Sequence, residues 1–165
     1  MPLLVILRHA KAAWPVGVAD HARPLAPRGR RDAPAAGAWI RARVGLPDRI
    51  VCSTAARTRQ TLELASTDWP EDFEVEYSDR IYAAPAQDLI TIAGEAQPEC
   101  HVQLLISHNP GCADAVLTLA DAVGPMVASV EEKFPTSAVA VLQVPEWKQL
   151  RPGSGSLIDF AVPRG

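Results

Sequence analysis

The chain has 165 residues, of which 48% are hydrophobic and 21% charged, and its formal net charge is -3 at pH 7. This length suits one domain over residues 1–165 with a substantial core. The acidic balance excludes a general nucleic-acid binder, whose phosphate contacts need a basic surplus, so any anion site must be a local cluster.

The first element is Leu3-Leu4-Val5-Ile6-Leu7, an apolar run with the length of a strand buried on both faces, which passes directly into Arg8-His9-Ala10. It is too short for a signal peptide or a membrane span, so a soluble, cytoplasmic protein without a membrane partner is expected. Cys52, Cys100 and Cys112 are odd in number and have no metal-ligand spacing, which predicts thiols in a reducing compartment and no metal.

Lys11 to Arg28, with Gly17 and three prolines, reads as a long loop that holds Trp14, Asp20, His21 and Arg23. From about Arg28 to Val44, Ala33, Ala36, Ile40 and Val44 recur at helical spacing, although Pro34 fits best if that helix starts near a capping Asp32. Asp48 to Cys52 reads as a strand, with Ser53 and Thr54 as N-caps of a helix to about Ala65. Phe73 to Tyr77 alternates like an edge strand, Gln87 to Gly94 reads as a helix, and Val102 to Ile106 is a third core strand broken by Ser107-His108-Asn109-Pro110-Gly111. Cys112 to Val123 is expected to be helical, and Ala138 to Val144 and Leu157 to Val162 are late strands joined through Pro152-Gly153-Ser154-Gly155. The alternation predicts an α/β fold, a mostly parallel sheet covered by helices on both faces.

Three of these strands end in the same chemistry. Arg8 and His9 follow the first, Arg57 lies in the first helical turn after the second, and His108 follows the third. Carboxyl ends of parallel strands share one edge, so the four residues can meet in one pocket. Two guanidiniums, two imidazoles and a nearby helix start suit a phosphoryl group. Neighbouring arginines keep His9 neutral and able to attack phosphorus, while His108 can donate to the phosphoryl oxygens in the transition state.

The ordered set "LRHAKA", "RPLAPRGRRDA", "CSTAARTRQT", "LISHNP" and "FPTSAVAVL" resembles the histidine phosphatase superfamily, and closely its SixA-like phosphohistidine phosphatases, over residues 3 to about 144. The resemblance implies a Rossmann-like α/β/α sandwich of the phosphoglycerate mutase-like type, transient phosphorylation of His9, phosphate binding by Arg8, Arg57 and His108, and no metal or organic cofactor. Ala10 stands where many members have Gly, and Ala26 where a capping threonine is common. The general acid of larger members has no clear match: Asp20, Glu76, Asp79 or none of them fills that role.

The expected activity is a metal-independent phosphatase working through a phosphohistidine intermediate. The first expected substrate is phosphohistidine in a protein, since that leaving group can depart as neutral imidazole without a strong acid. A phosphatase of small phosphate esters (sugar phosphates or nucleotides) and a non-catalytic phosphate-binding or phosphoprotein-binding module are the alternatives. Around the site, Trp14 is a candidate for the substrate entrance or for loop packing, and Lys133 to Thr136 for closing one side or for a simple structural turn. The cluster Arg28, Arg30, Arg31 reads as a solvated face or a docking site. His21 and His101 read as solvated.

Overall fold

The strand Leu3–Arg8 (β1) forms at the centre of a six-stranded sheet, and the computed structural model describes residues 1–70 and 73–165. It pairs in parallel with Val102–Ser107 (β4) on one edge and antiparallel with Val139–Gln143 (β5) on the other. Arg49–Ser53 (β2) and Val75–Ser78 (β3) extend the parallel side, and Ser156–Ala161 (β6) closes the antiparallel one, giving the order β3-β2-β4-β1-β5-β6. The sheet is thus mixed with a parallel majority, as the alternation of elements implies.

Successive side chains of β1 enter opposite cores, because a strand alternates its faces. Val5 and Leu7 pack with Ala36, Ile40 and Leu62 from the helices Pro27–Val44 (α1) and Ala56–Ala65 (α2). Leu4 and Ile6 pack with Leu89, Val116 and Val130 from Ala86–Ala93 (α3), Gly111–Leu119 (α4) and Pro125–Glu132 (α5). The chain therefore leaves β1 towards one face of the sheet and leaves its neighbour β4 towards the other. Such a divergence opens a crevice beyond the carboxyl ends of the two strands, the usual ligand position in an open α/β sheet.

Four local expectations are corrected. The helix α1 begins at Pro27, not near Asp32, because a proline at the first helical position needs no hydrogen-bond acceptor, and α1 continues through the exposed Pro34. Asp32 is buried instead, accepting from Arg164 Nη1 at 2.9 Å and from the Gly165 N–H at 3.1 Å, so it anchors the last residues to α1. The cap residue of α2 is Ala55; Ser53 is the last residue of β2 and Thr54 comes after it. The helix after β4 stops at Leu119, where Ala120 bridges to Gly155, and α5 is an addition to the expected elements, because it buries only Val130, too little for an apolar periodicity.

The three thiols are buried and free, and burial pushes Cys52 and Cys112 up to about 12 and Cys100 to about 11, which leaves them protonated and unreactive. Among the described residues, no helix is long and apolar enough to cross a membrane.

The contact between α1 and α2 depends on Gly37, where a Cβ would lie 1.8 Å from the Ala65 carbonyl oxygen. Gly37→Ala is expected to force the helices apart and lower stability by about 1–3 kcal/mol in urea unfolding, with the larger cost in the half of the core that holds Ile40 and Leu62.

Candidate active site

The crevice between β1 and β4 holds a cleft of about 240 Å³ lined by Arg8, His9, Arg57 and His108 together with Trp14 and Arg23. The four expected residues therefore meet. The His9 and His108 rings are 5.3 Å apart between centroids, and both imidazoles are buried. A larger cleft of about 390 Å³ between α1 and α2, lined by Pro34, Ala38 and Leu64, contains no histidine. Size and chemistry are separated in this molecule.

The orientation of His9 is set by backbone contacts. Its Nδ1 lies 2.7 Å from the Ala10 carbonyl oxygen, which can only accept, so Nδ1 carries the proton and Nε2 keeps its lone pair. The Ala10 N–H in turn donates to Thr61 Oγ1 at 2.9 Å, and Thr61 donates from that hydroxyl to the Arg57 carbonyl. On the other side the His9 carbonyl accepts from Ser137 N–H at 3.1 Å, for which Ser137 adopts a left-handed backbone with φ of 63°. Gly29 of α1 completes the support: a Cβ there would meet the Lys11 carbonyl oxygen at 2.2 Å.

His108 shares a 2.7 Å hydrogen bond between its Nε2 and Ser53 Oγ. Its Nδ1 and the Nε of Arg8 are buried without a protein partner among the described residues. With Ser53 donating to Nε2, the His108 Nδ1 carries the proton, and like Arg8 Nε it is a buried donor, which costs stability unless an acceptor meets it. Arg8 is steered by the Phe134 carbonyl, which accepts from Arg8 Nη1 at 3.1 Å and from Asn109 Nδ2 at 2.7 Å. Thus the segment at Lys133 to Thr136 does close one side, with Thr136 in the lining.

Asp20 supplies the carboxylate of the site. It sits in a short 3-10 turn, Asp20–Ala22, within the long loop, and accepts from Tyr82 Oη at 2.6 Å, Arg23 Nη1 at 3.0 Å and Arg57 Nη2 at 3.1 Å. The Tyr82 hydroxyl, first, and the two guanidiniums hold it well below the usual carboxylate range, so it is ionised. Glu76 lies elsewhere, paired with Arg49 Nη2 at 3.1 Å from the amino end of β2. Asp79 stands just beyond β3 and accepts from the Thr54 hydroxyl.

Tyr82, Ser53, Thr61 and Arg23 carry no sequence signal for their roles at the site. The "RPLAPRGRRDA" and "CSTAARTRQT" stretches contain three of them, but which hydroxyl or guanidinium turns inward depends on how loop, strand and helix pack together. His21 is exposed, though not alone: its ring packs edge-on to Tyr82 at 4.7 Å and its Nε2 bonds Thr54 Oγ1 at 2.8 Å. His101 is exposed, and among the described residues no three His, Cys, Asp or Glu side chains are grouped as metal ligands. Trp14 lies over Arg23 at the mouth of the cleft.

Burial is the first cause that pushes His9 down to about 3 and His108 to about 4, with the neighbouring cationic groups adding to it. The repulsion expected from the arginines is thus real but secondary. Between the unfolded value near 6.5 and these lower values the unfolded chain binds more protons, so stability contributed by the neutral imidazoles is complete above about pH 6.5 and is lost as pH falls. In urea unfolding at pH 7 and pH 4, the His9→Gln variant is expected to lose about 1–3 kcal/mol less than the wild type over that interval; equal losses would refute the neutral buried state.

The chain is similar to known proteins in sequence and in fold. Residues 4–82 match the model of the histidine phosphatase superfamily (branch 1). An uncharacterized protein of Mycobacterium tuberculosis (strain CDC 1551 / Oshkosh) is 41% identical over 162 residues, covering 96% of this chain and 100% of that protein. The structure of a candidate phosphohistidine phosphatase SixA from Nakamurella multipartitia superposes with a TM-score of 0.87 at 30% identity, over 98% of this chain and 96% of that one. Its counterpart from Agrobacterium tumefaciens gives 0.82 at 31% identity, with 99% of each chain covered. With a mixed α/β sheet of the phosphoglycerate mutase-like type and an Arg-His pair at the end of its first strand, the chain belongs to the histidine phosphatase superfamily, in its SixA-like group, and is a phosphatase.

Proposed function

We propose that the protein dephosphorylates phosphohistidine residues of proteins through a transient phosphoryl group on His9. The observation that carries this reading is the hydrogen bond from His9 Nδ1 to the Ala10 carbonyl, which leaves Nε2 unprotonated in a cleft rich in cationic donors. Nε2 attacks phosphorus as the P–N bond of the substrate breaks, and the leaving imidazole, protonated on its other nitrogen, departs neutral. Arg8, Arg57 and His108 hold the phosphoryl oxygens as their charge redistributes. Water then attacks the phosphorylated His9, inorganic phosphate leaves, and the Nε2 lone pair is restored.

The ionised state of Asp20 supports the choice of substrate. A carboxylate held so low has no proton to give an alkoxide leaving group, whereas phosphohistidine does not require one. Asp20 also bonds Arg57 through both its side chain and its carbonyl, so an arriving phosphoryl group competes with it for that guanidinium.

The test is phosphate release, without added metal, from a histidine-phosphorylated carrier protein and from a panel of sugar phosphates and nucleotides, beside the His9→Ala variant. Release chiefly from the phosphoprotein, with acid-labile labelling of His9 and loss of both in the variant, is the expected result. Faster turnover of the small esters would overturn the substrate; no turnover and no label would leave a phosphate-binding module. Thr61→Val, which removes the anchor of Ala10, is expected to lower kcat about tenfold through misorientation of His9, while the protein keeps its affinity for inorganic phosphate; unchanged kcat would remove Thr61 from the positioning of the ring.

A further inference from the structure

Trp14 is 75% exposed, an unusual state for the largest apolar side chain, and it lines the same cleft as His9 and His108. One face of its ring is covered, since the Arg23 guanidinium carbon lies 3.2 Å from the ring centroid. Arg23 is buried and fixed, donating from Nε to the Ala13 carbonyl at 3.0 Å and from Nη1 to Asp20. The backbone is held as well: Ala13 N–H donates to the Pro24 carbonyl at 2.8 Å, and Ala12 bridges to Leu25. The indole is thus preorganised at the mouth of a cationic hole. Val16 and Val18, also exposed, follow on the same loop.

A rigid aromatic face beside a phosphoryl-binding hole sorts substrates by what is attached to phosphorus. A planar ring bonded directly to phosphorus can stack on the indole while the phosphoryl group enters among the guanidiniums, and such stacking adds affinity without reading a hydrogen-bond pattern. A sugar or serine oxygen brings no flat leaving group. We infer that Trp14 is the subsite for the leaving group, a platform on which the imidazole ring of a phosphohistidine residue stacks, with Val16 and Val18 meeting the apolar surface around that residue.

This inference rests on the proposed substrate but names a residue and a contact that the phosphoryl chemistry does not need. Its test uses three probes: a histidine-phosphorylated protein, N-phosphoimidazole, and phosphoramidate, which has the same kind of P–N bond and no ring. In Trp14→Ala, kcat/KM is expected to fall about tenfold for the two imidazole substrates and less than about twofold for phosphoramidate, with Trp14→Phe retaining most of the wild-type value. An equal fall for all three would show that Trp14 acts only by seating Arg23, and no fall for any would show that the indole is idle; either result overturns the inference. Binding of N-phosphoimidazole to His9→Ala, with and without Trp14→Ala, reads the stack where no turnover occurs. A Trp14-dependent affinity there, in a protein whose wild type releases no phosphate from phosphohistidine, would keep the platform and sink the proposed dephosphorylation of phosphohistidine alone. Equal affinity of the two variants would sink the platform.

Discussion

The strand β1 is hydrogen-bonded along both edges, to β4 in parallel and to β5 antiparallel, and its interior side chains are buried on both faces. That constraint removes almost every freedom from Leu4 to Leu7. Arg8 and His9, at the carboxyl end of the strand, are therefore placed with the rigidity of the sheet, while the departure of α1 to one face and α4 to the other leaves the crevice open. A histidine on a flexible loop would have to be ordered each time a substrate arrives. Here the ordering is already done by folding, in the manner of a preorganised site.

Preorganisation continues outward through hydrogen bonds that are not themselves chemical. The Thr61 hydroxyl holds the Ala10 N–H, the Ala10 carbonyl fixes the His9 tautomer, and Ser137 gives its N–H to the His9 carbonyl. The Phe134 carbonyl aims Arg8 and Asn109 together. Each bond is worth little alone, but together they leave the imidazole one orientation and one protonation pattern. Burial then does what the arginines were expected to do: it keeps both imidazoles neutral near pH 7, so the concentrated positive charge of the site comes from guanidiniums, which cannot give up their protons.

Much of this is legible in the sequence because the strands are short apolar runs that end in charged or imidazole side chains, a pattern that topology turns into convergence. Arg8, His9, Arg57 and His108 come from three such ends. The misreadings have a different origin. Ser53 and Asp32 look like helix caps by local rules, yet tertiary partners recruit them: Ser53 bonds His108, and Asp32 receives Arg164 and the Gly165 N–H from the far end of the chain. Local propensity says what a side chain can do in its own turn of helix, and it is silent about a partner as distant along the chain as His108 is from Ser53. Helix α5 escapes for the opposite reason, since with one buried residue it has little hydrophobic signal to read.

Asp20 shows how the two scales meet. Its position in a proline-rich loop carries no sequence signature of its own, and as an isolated carboxylate it would be a surface residue. The fold brings Arg23, Arg57 and Tyr82 around it, and those three donors decide its charge. The same contacts moderate the site. Without a carboxylate, Arg8, Arg23 and Arg57 would form a strongly anion-retentive hole, and a hydrolase must release inorganic phosphate as readily as it binds a phosphoryl group. An internal anion that is half-exposed and mounted on a short turn can share a guanidinium with the incoming group and reclaim it afterwards. Arg23 links this balance to the rim, because the guanidinium that bonds Asp20 also carries the Trp14 ring, so the grip on phosphate and the surface offered to the leaving group are set by one side chain.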